Sequence, residues 1–133
     1  MNDIKVNHLG YIVKEINCAV NEFENIGFKF LKPIIEDKKR NMLACLMVKD
    51  GYVIEIISPM NKKSEVYSLS RKSFSGMPYH LCFETKNISG TLLKLKKRGY
   101  VIVKEPDDAI LFDGRKVAFL FSRNIGLVEL LSN

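Results

Sequence analysis

The distribution of hydrophobic residues changes period several times along the first half of the chain. Segments rich in β-branched and aromatic residues favour strands, and apolar residues spaced by about one turn favour a helix between the first two of them. Lys49-Asp50-Gly51 is typical of a β-hairpin turn. The predicted elements are a strand at Val6–Val13, a helix at Asn17–Ile26 that starts with Asn17 as N-cap, and strands at Phe28–Ile35, Met42–Val48 and Tyr52–Ile57.

The second half of the chain repeats the first. His8–Ile16 aligns without a gap on His80–Ile88, an offset of 72 residues (80 − 8). Val53–Ser58 aligns on Leu127–Ser132 at an offset of 74 (129 − 55), so a small insertion is expected between these segments, and Ala44–Met47 is aligned on Ala118–Phe121. The predicted elements are a strand at His80–Thr85, a helix at Ser89–Arg98 with Ser89 as N-cap, a strand at Tyr100–Lys104, a mobile loop within Glu105–Gly114, and strands at Lys116–Ser122 and Gly126–Leu131.

The repeat predicts an α+β fold with two tandem βαβββ modules in one domain of 133 residues. Module 1 covers residues 1–60 and module 2 covers residues 79–133. Residues 61–78 form a polar connector with a short helix near Glu65–Lys72. Gly76-Met77-Pro78 breaks the regular structure at the end of this connector. A composition that is 47% hydrophobic is sufficient for a buried core.

Composition narrows the functional class. No run of about 18 apolar residues occurs, so no membrane span is predicted, and the polar N-terminus does not resemble a signal peptide. The three scattered cysteines suit a reducing compartment, so a cytoplasmic location is expected. The net charge of +6 favours a small anionic ligand such as a carboxylate, a phosphate or a coenzyme A ester, and no nucleic-acid recognition motif accompanies it.

Four residues are the strongest candidates for chemistry: His8, Glu55, His80 and Glu129. Each module contributes a histidine from its first strand and a glutamate from its last, at separations of 47 (55 − 8) and 49 (129 − 80) residues. Both glutamates lie within apolar runs, where an ionised carboxylate is costly to bury unless it is paired or bound to a metal. The four residues therefore predict a site for one divalent ion such as zinc, nickel, cobalt, iron or manganese.

Around these residues the chain resembles the vicinal oxygen chelate superfamily, which includes glyoxalase I, methylmalonyl-CoA epimerase, extradiol dioxygenases and bleomycin-resistance proteins. The resemblance covers nearly the whole chain. It is carried by the segments Asn7–Val13, Ile54–Pro59, Pro78–Glu84, Lys116–Leu120 and Gly126–Leu131.

The resemblance implies a fold, a ligand set and a class of reaction. The fold would be a half-open mixed β-barrel around a metal held by His8, Glu55, His80 and Glu129. The methylmalonyl-CoA epimerase branch is the most similar, which implies a metal-dependent isomerase that stabilises an enediolate of an acyl-CoA or similar small carbonyl acid. The alternatives are lactoylglutathione lyase (glyoxalase I) and a non-catalytic binding protein of the bleomycin-resistance type. Homodimers are usual in the family.

The resemblance also suggests further functional residues. Glu129 or Glu55 would move the substrate proton, with Glu129 the first choice. The separate catalytic carboxylate of the epimerases falls at Lys38-Lys39 in this chain, which leaves Glu36, or the adjacent Asp37, as a weaker candidate. Arg115 and Lys116 are candidates for binding an anionic substrate, and a solvated loop is an equally good interpretation of the same residues.

Overall fold

The computed structural model describes residues 1–72 and 75–133, and within these ranges each half of the chain contains a strand, a helix and three strands. The first half contains β1 (Lys5–Ile12), α1 (Ile16–Asn25), β2 (Lys29–Asp37), β3 (Met42–Lys49) and β4 (Tyr52–Pro59). After the short helix α2 (Tyr67–Ser70), the second half contains β5 (Met77–Thr85), α3 (Ile88–Lys97), β6 (Val101–Ala109), a 3₁₀ turn at Ile110–Phe112, β7 (Arg115–Ser122) and β8 (Gly126–Ser132). This order confirms the predicted α+β class and its two βαβββ modules.

The chain divides into two compact units, and the first comprises Leu9–Tyr79. Its strands follow the order β2-β3-β4-β1, in which β1 runs parallel to β4 and the other neighbours are antiparallel. Helix α1 buries Ile16 and Val20 against one face of this sheet, where Cys45, Met47 and Ile56 form the apolar core.

The second unit comprises Met1–His8 together with His80–Asn133. Its strands follow the order β6-β7-β8-β5, and here β5 runs parallel to β8. Helix α3 buries Leu92 and Leu95 in a core with Ala118, Leu120 and Leu130. The two units therefore repeat the same strand order and the same mixture of parallel and antiparallel pairs.

The register of the strands shows where the two modules differ in length. The offset between equivalent residues is 72 for β2 and β6, 73 for β3 and β7, and 74 for β4 and β8. Even the two β-bulges of β2 recur at the same positions in β6. The expected small insertion is therefore two single residues, one in the β6–β7 connection and one in the β7–β8 turn.

This register corrects one detail of the sequence alignment. Ala44 lies opposite Ile57, on the face of the sheet that carries Glu55, whereas Ala118 lies opposite Leu130 on the face that packs against α3. The residue equivalent to Ala118 is therefore Cys45. The alignment of Ala44 with Ala118 was wrong by one residue, because it ignored the extra residue of the second hairpin.

Several predicted boundaries also differ from the structure. Both helices begin one residue earlier than predicted, and their N-caps are Glu15 and Asn87 rather than Asn17 and Ser89. The predicted loop at Glu105–Gly114 is wrong for its first part, because β6 continues to Ala109 through its second bulge and pairs with Arg115. Strand β5 starts at Met77, so the interruption expected at residues 76–78 ends two residues earlier, at Gly76.

None of the helices in the described residues is long and apolar enough to cross a membrane.

Candidate metal centre

Three of the four candidate residues converge within the second unit. The Nε2 atoms of His8 and His80 lie 3.2 Å apart, and Glu129 Oε1 lies 3.1 Å from the first and 3.3 Å from the second. All three residues are almost completely buried. Two imidazole nitrogens and one carboxylate oxygen thus form a nearly equilateral triangle inside the protein.

Strand positions and aromatic packing place these side chains. His8 lies on β1, His80 on β5 and Glu129 on β8, where it is opposite both Cys82 and Phe119. The ring of Phe112 stacks on His8 with the planes 13° apart, and Phe119 meets His80 edge to face. These apolar rings pack beside the two histidines and lower the local dielectric constant, so electrostatic interactions between the three residues are stronger than in water.

Glu129 is ionised in this environment. Burial acts to raise its pKa, but the positive charge of His80 and the close approach of both imidazole rings outweigh burial and lower the pKa to about 2. A nearby positive charge favours the charged form of a carboxyl group. Glu129 is therefore available as an anionic ligand or as a proton acceptor.

Glu55 occupies the equivalent position in the first unit. It lies on β4 opposite Gly10, which follows His8 by two residues, just as Glu129 lies opposite Cys82, which follows His80 by two. Glu55 is also buried, and its charge adds to the effect of burial in raising the pKa of Cys45 to about 12. The Cys45 thiol therefore stays protonated and acts as a small apolar residue.

Further polar residues contact His8 from behind the triangle. Asn7 Oδ1 lies 2.8 Å from His8 Nδ1, and Asn7 Nδ2 donates to Glu84 at 3.0 Å. Arg115 lies 3.2 Å from the same Glu84 oxygen and donates from Nε to the carbonyl of Ser132. An ion pair and two hydrogen bonds thus connect Arg115, through Glu84 and Asn7, to a candidate metal ligand.

The weaker candidates lie elsewhere. Glu36 is exposed and lies opposite Leu43 on the α1 side of the sheet, so it does not share a face with Glu55. Asp37 is on the Glu55 face, but its carboxylate accepts hydrogen bonds from the backbone and side chain of Arg40. Lys116 pairs with Asp108 at the surface. Roles for Glu36 in catalysis and for Arg115 and Lys116 in substrate binding stay predictions.

Sequence reasoning did not assign Asn7, Glu84, Phe112 or Phe119 to the site. One signal was present, because Glu84 lies four residues after His80 and therefore shares its face of β5. Phe112 carried no such signal, since it belongs to the 3₁₀ turn in the segment predicted to be a loop.

The donor set fits a divalent metal ion. Ligand atoms about 2.0–2.2 Å from one ion are separated from each other by about 3 to 3.5 Å, which matches all three edges of the triangle. Imidazole nitrogen and carboxylate oxygen are ligands that first-row transition ions accept. His8, His80 and Glu129 are therefore positioned as three ligands of such a site.

Comparison with known proteins identifies relatives along most of the chain. The sequence model of the glyoxalase/bleomycin resistance protein/dioxygenase superfamily matches residues 5–119. Human mitochondrial methylmalonyl-CoA epimerase is 23% identical over 128 residues, which cover 95% of this chain and 72% of the human protein.

Solved structures show the same fold. A hypothetical protein from Bacillus halodurans is 21% identical with a TM-score of 0.85, over 98% of this chain and 94% of that one. A variant of Streptomyces coelicolor methylmalonyl-CoA epimerase in complex with 2-nitronate-propionyl-CoA is 17% identical with a TM-score of 0.81, over 97% and 96% of the two chains. The βαβββ repeat of this chain is thus the fold of these proteins.

Proposed function

Because the chain belongs to the glyoxalase/bleomycin resistance protein/dioxygenase superfamily, we propose that it is a metal-dependent epimerase or isomerase acting on an acyl-CoA or similar small carbonyl acid. The observation that carries this proposal is the buried convergence of His8, His80 and Glu129 on one point. A buried cluster of this composition is otherwise costly, because each polar group loses its hydration.

In this proposal Glu55 completes the ligand set. Its support is the register, which gives Glu55 the same position relative to His8 that Glu129 has relative to His80 along the parallel strand pairs. A set of two histidines and two carboxylates suits zinc, nickel, cobalt or manganese. When bound, such an ion would supply a positive charge that stabilises negative charge developing on a substrate carbonyl oxygen.

The two glutamates carry the proposed proton chemistry. The carboxylate of Glu129 accepts the proton from the carbon next to the substrate carbonyl, and a proton is then returned to that carbon. Its ionised state at neutral pH makes Glu129 competent for the first half of this exchange. The repeat supplies Glu55 as a second carboxylate, so that removal and return can use different residues.

The proposed substrate class rests on charge and on the relatives. The chain has a net charge of +6, and α3 carries Lys94, Lys96 and Lys97 in its last turn, so attraction of an anionic coenzyme A ester is favourable. The curated relatives are methylmalonyl-CoA epimerases, and a structural neighbour was solved in complex with 2-nitronate-propionyl-CoA.

Hydrogen exchange at the substrate carbon tests this proposal. We expect the purified, metal-loaded protein to wash deuterium from solvent into C2 of methylmalonyl-CoA. Glu129→Gln should reduce the rate by about 10²- to 10⁴-fold, which is typical for loss of a positioned acid or base. Asp108→Asn is a suitable control, because this exposed residue of the β6–β7 hairpin lies on the other face of the sheet.

A parallel assay with the hemithioacetal of methylglyoxal and glutathione tests the alternative activity, that of lactoylglutathione lyase. Turnover of the hemithioacetal without exchange into methylmalonyl-CoA would contradict the proposed substrate and favour lactoylglutathione lyase. Absence of both reactions in folded, metal-loaded protein would contradict the proposed acyl-CoA epimerase.

A further inference from the structure

Asn7, Glu84 and Arg115 form a network of one hydrogen bond and one ion pair behind the candidate metal centre. We propose that this network fixes His8 in the tautomer that carries its proton on Nδ1, so that the Nε2 lone pair points to the bound ion. The inference rests on the proposed metal site, and it assigns Asn7, Glu84 and Arg115 as positioning residues for one ligand of that site.

The direction of each hydrogen bond follows from the carboxylate at the centre of the network. An ionised carboxylate can only accept hydrogen bonds, so the Asn7 atom 3.0 Å from Glu84 Oε2 is the amide nitrogen. The other end of the amide, which lies 2.8 Å from His8 Nδ1, is therefore the oxygen. An amide oxygen can only accept, so His8 Nδ1 carries the proton and donates it.

The state of His8 Nε2 follows in turn. A neutral imidazole carries one proton, so a proton on Nδ1 leaves Nε2 with a lone pair. This atom is the one that lies 3.2 Å from His80 Nε2 and 3.1 Å from Glu129 Oε1. Metal-binding histidines commonly donate their other N–H to a carbonyl or carboxylate, and such partners raise metal affinity by holding the ring in place.

Arg115 pairs with the carboxylate of Glu84. Its guanidinium is always charged, and it lies 3.2 Å from the Glu84 oxygen that also accepts from Asn7. Its Nε donates to the Ser132 carbonyl at 2.6 Å, which fixes the side chain against the end of β8. Since both side chains are partly exposed, the pair contributes orientation more than stability.

The network is not a consequence of the repeat. The strand registers make Tyr79, Ile12 and Met42 the residues equivalent to Asn7, Glu84 and Arg115. None of these three could reproduce the amide, the carboxylate and the guanidinium. The second module thus supplies Glu84 and Arg115 to orient the histidine of the first.

The tautomer is measurable in the metal-free protein. Two-bond ¹⁵N–¹H correlation spectra of ¹⁵N-labelled protein distinguish a protonated Nδ1 from a protonated Nε2 at His8. We expect the Nδ1–H form in the wild type and a mixture of forms in Glu84→Leu, in which the Asn7 amide is free to turn. A wild-type His8 protonated on Nε2 would overturn the inference.

Metal affinity provides the second test, measured by competition of Co²⁺ or Zn²⁺ with a chelator. Asn7→Leu and Glu84→Leu should bind the ion about 10- to 100-fold more weakly than the wild type, the usual effect of losing such a partner. Glu84→Gln should retain most of the affinity, because its amide oxygen can still accept from Asn7 and Arg115. Asp108→Asn, which weakens the surface pair with Lys116, should bind as the wild type does.

The possible outcomes distinguish a failure of the proposed network from a failure of the proposed metal site. Folded Asn7→Leu and Glu84→Leu that bind the ion as tightly as the wild type would overturn the role of the network while leaving the metal site intact. A wild type that binds neither Co²⁺ nor Zn²⁺ would contradict the proposed function and the effect on affinity. The spectra of the metal-free protein would still decide whether the network sets the tautomer.

Discussion

At the scale of single residues, the two helix caps show how equivalent positions use different chemistry. Glu15 caps α1 by accepting hydrogen bonds from the backbone N–H groups of Asn17 and Cys18. Asn87, 72 residues later, caps α3 by accepting from the Gly90 N–H. Only the carboxyl group of Glu15 can change its charge with pH, so the Asn87 cap serves as a pH-independent control for it.

The cap at Glu15 predicts a pH-dependent stability. Hydrogen bonds from the Cys18 side chain and from the backbone of Cys18 and Asn17 lower the pKa of Glu15 from 4.5 to about 2. A lowered pKa means that the cap stabilises the fold fully above pH 4.5 and that this contribution is lost as the pH falls from 4.5 to 2.

Unfolding by urea at several pH values checks this prediction. Glu15→Ala should lower the free energy of unfolding at pH 7 by about 0.5 to 1 kcal/mol, since the carboxylate is exposed, and by less at pH 3. Asn87→Ala should lower it by a similar amount at both pH values. An effect of Glu15→Ala that does not change with pH would show that the carboxylate charge is not what caps α1.

The candidate ligands could be found from sequence because the repeat marks them twice. His8 with Glu55 and His80 with Glu129 stand at matching module positions, and burial of two glutamates in apolar strands requires a reason. Asn7 and Arg115 could not be found in this way, because their role depends on tertiary contacts that have no counterpart in the repeat.

At the scale of elements, the hairpin turns of the two modules differ in length by one residue. The β3–β4 turn contains two residues, Asp50 and Gly51, between the paired Lys49 and Tyr52, whereas three residues separate the paired Ser122 and Gly126. Asp50 and Gly51 both have positive φ angles, 52° and 81°, as a two-residue type I′ turn requires. The sequence pair Asp-Gly was therefore a reliable signal for this turn.

This geometry predicts the effect of a methyl group in the turn. A Cβ at Gly51 would meet no other atom within 4 Å, so Gly51→Ala tests the backbone conformation alone. We expect the variant to be less stable by about 1 to 2 kcal/mol, the cost of a left-handed residue with a Cβ, as measured by urea unfolding. Asp50→Asn is the control and should change little, because asparagine also tolerates positive φ. An unchanged stability of Gly51→Ala would contradict the assigned turn.

Strand β6 shows where the prediction from sequence failed at this scale. Its second half contains Lys104-Glu105-Pro106-Asp107-Asp108, a polar run with a proline that is typical of a loop. The strand nevertheless continues, because it is an edge strand with two bulges that keep Asp107 and Asp108 paired with β7. Bulges and edge positions tolerate proline, and local composition does not reveal them.

At the scale of the whole molecule, the duplication is the property that links fold and site. It predicted both modules and the matching histidines and glutamates, and the registers of β1 with β4 and of β5 with β8 place each pair in the same way. The cytoplasmic location and the homodimer stay predictions. The bound ion is the central claim, because both the proposed reaction and the role of the network depend on it.

The metal content of the purified protein tests that claim most directly. After incubation with Ni²⁺, Co²⁺, Mn²⁺ or Zn²⁺ and removal of the excess, elemental analysis should find about one divalent ion per chain, since a complete ligand set binds one ion. A folded variant with His8→Ala and His80→Ala should contain none. A wild type that remains empty with all four metals, or a double variant that keeps its ion, would contradict the proposed metal centre.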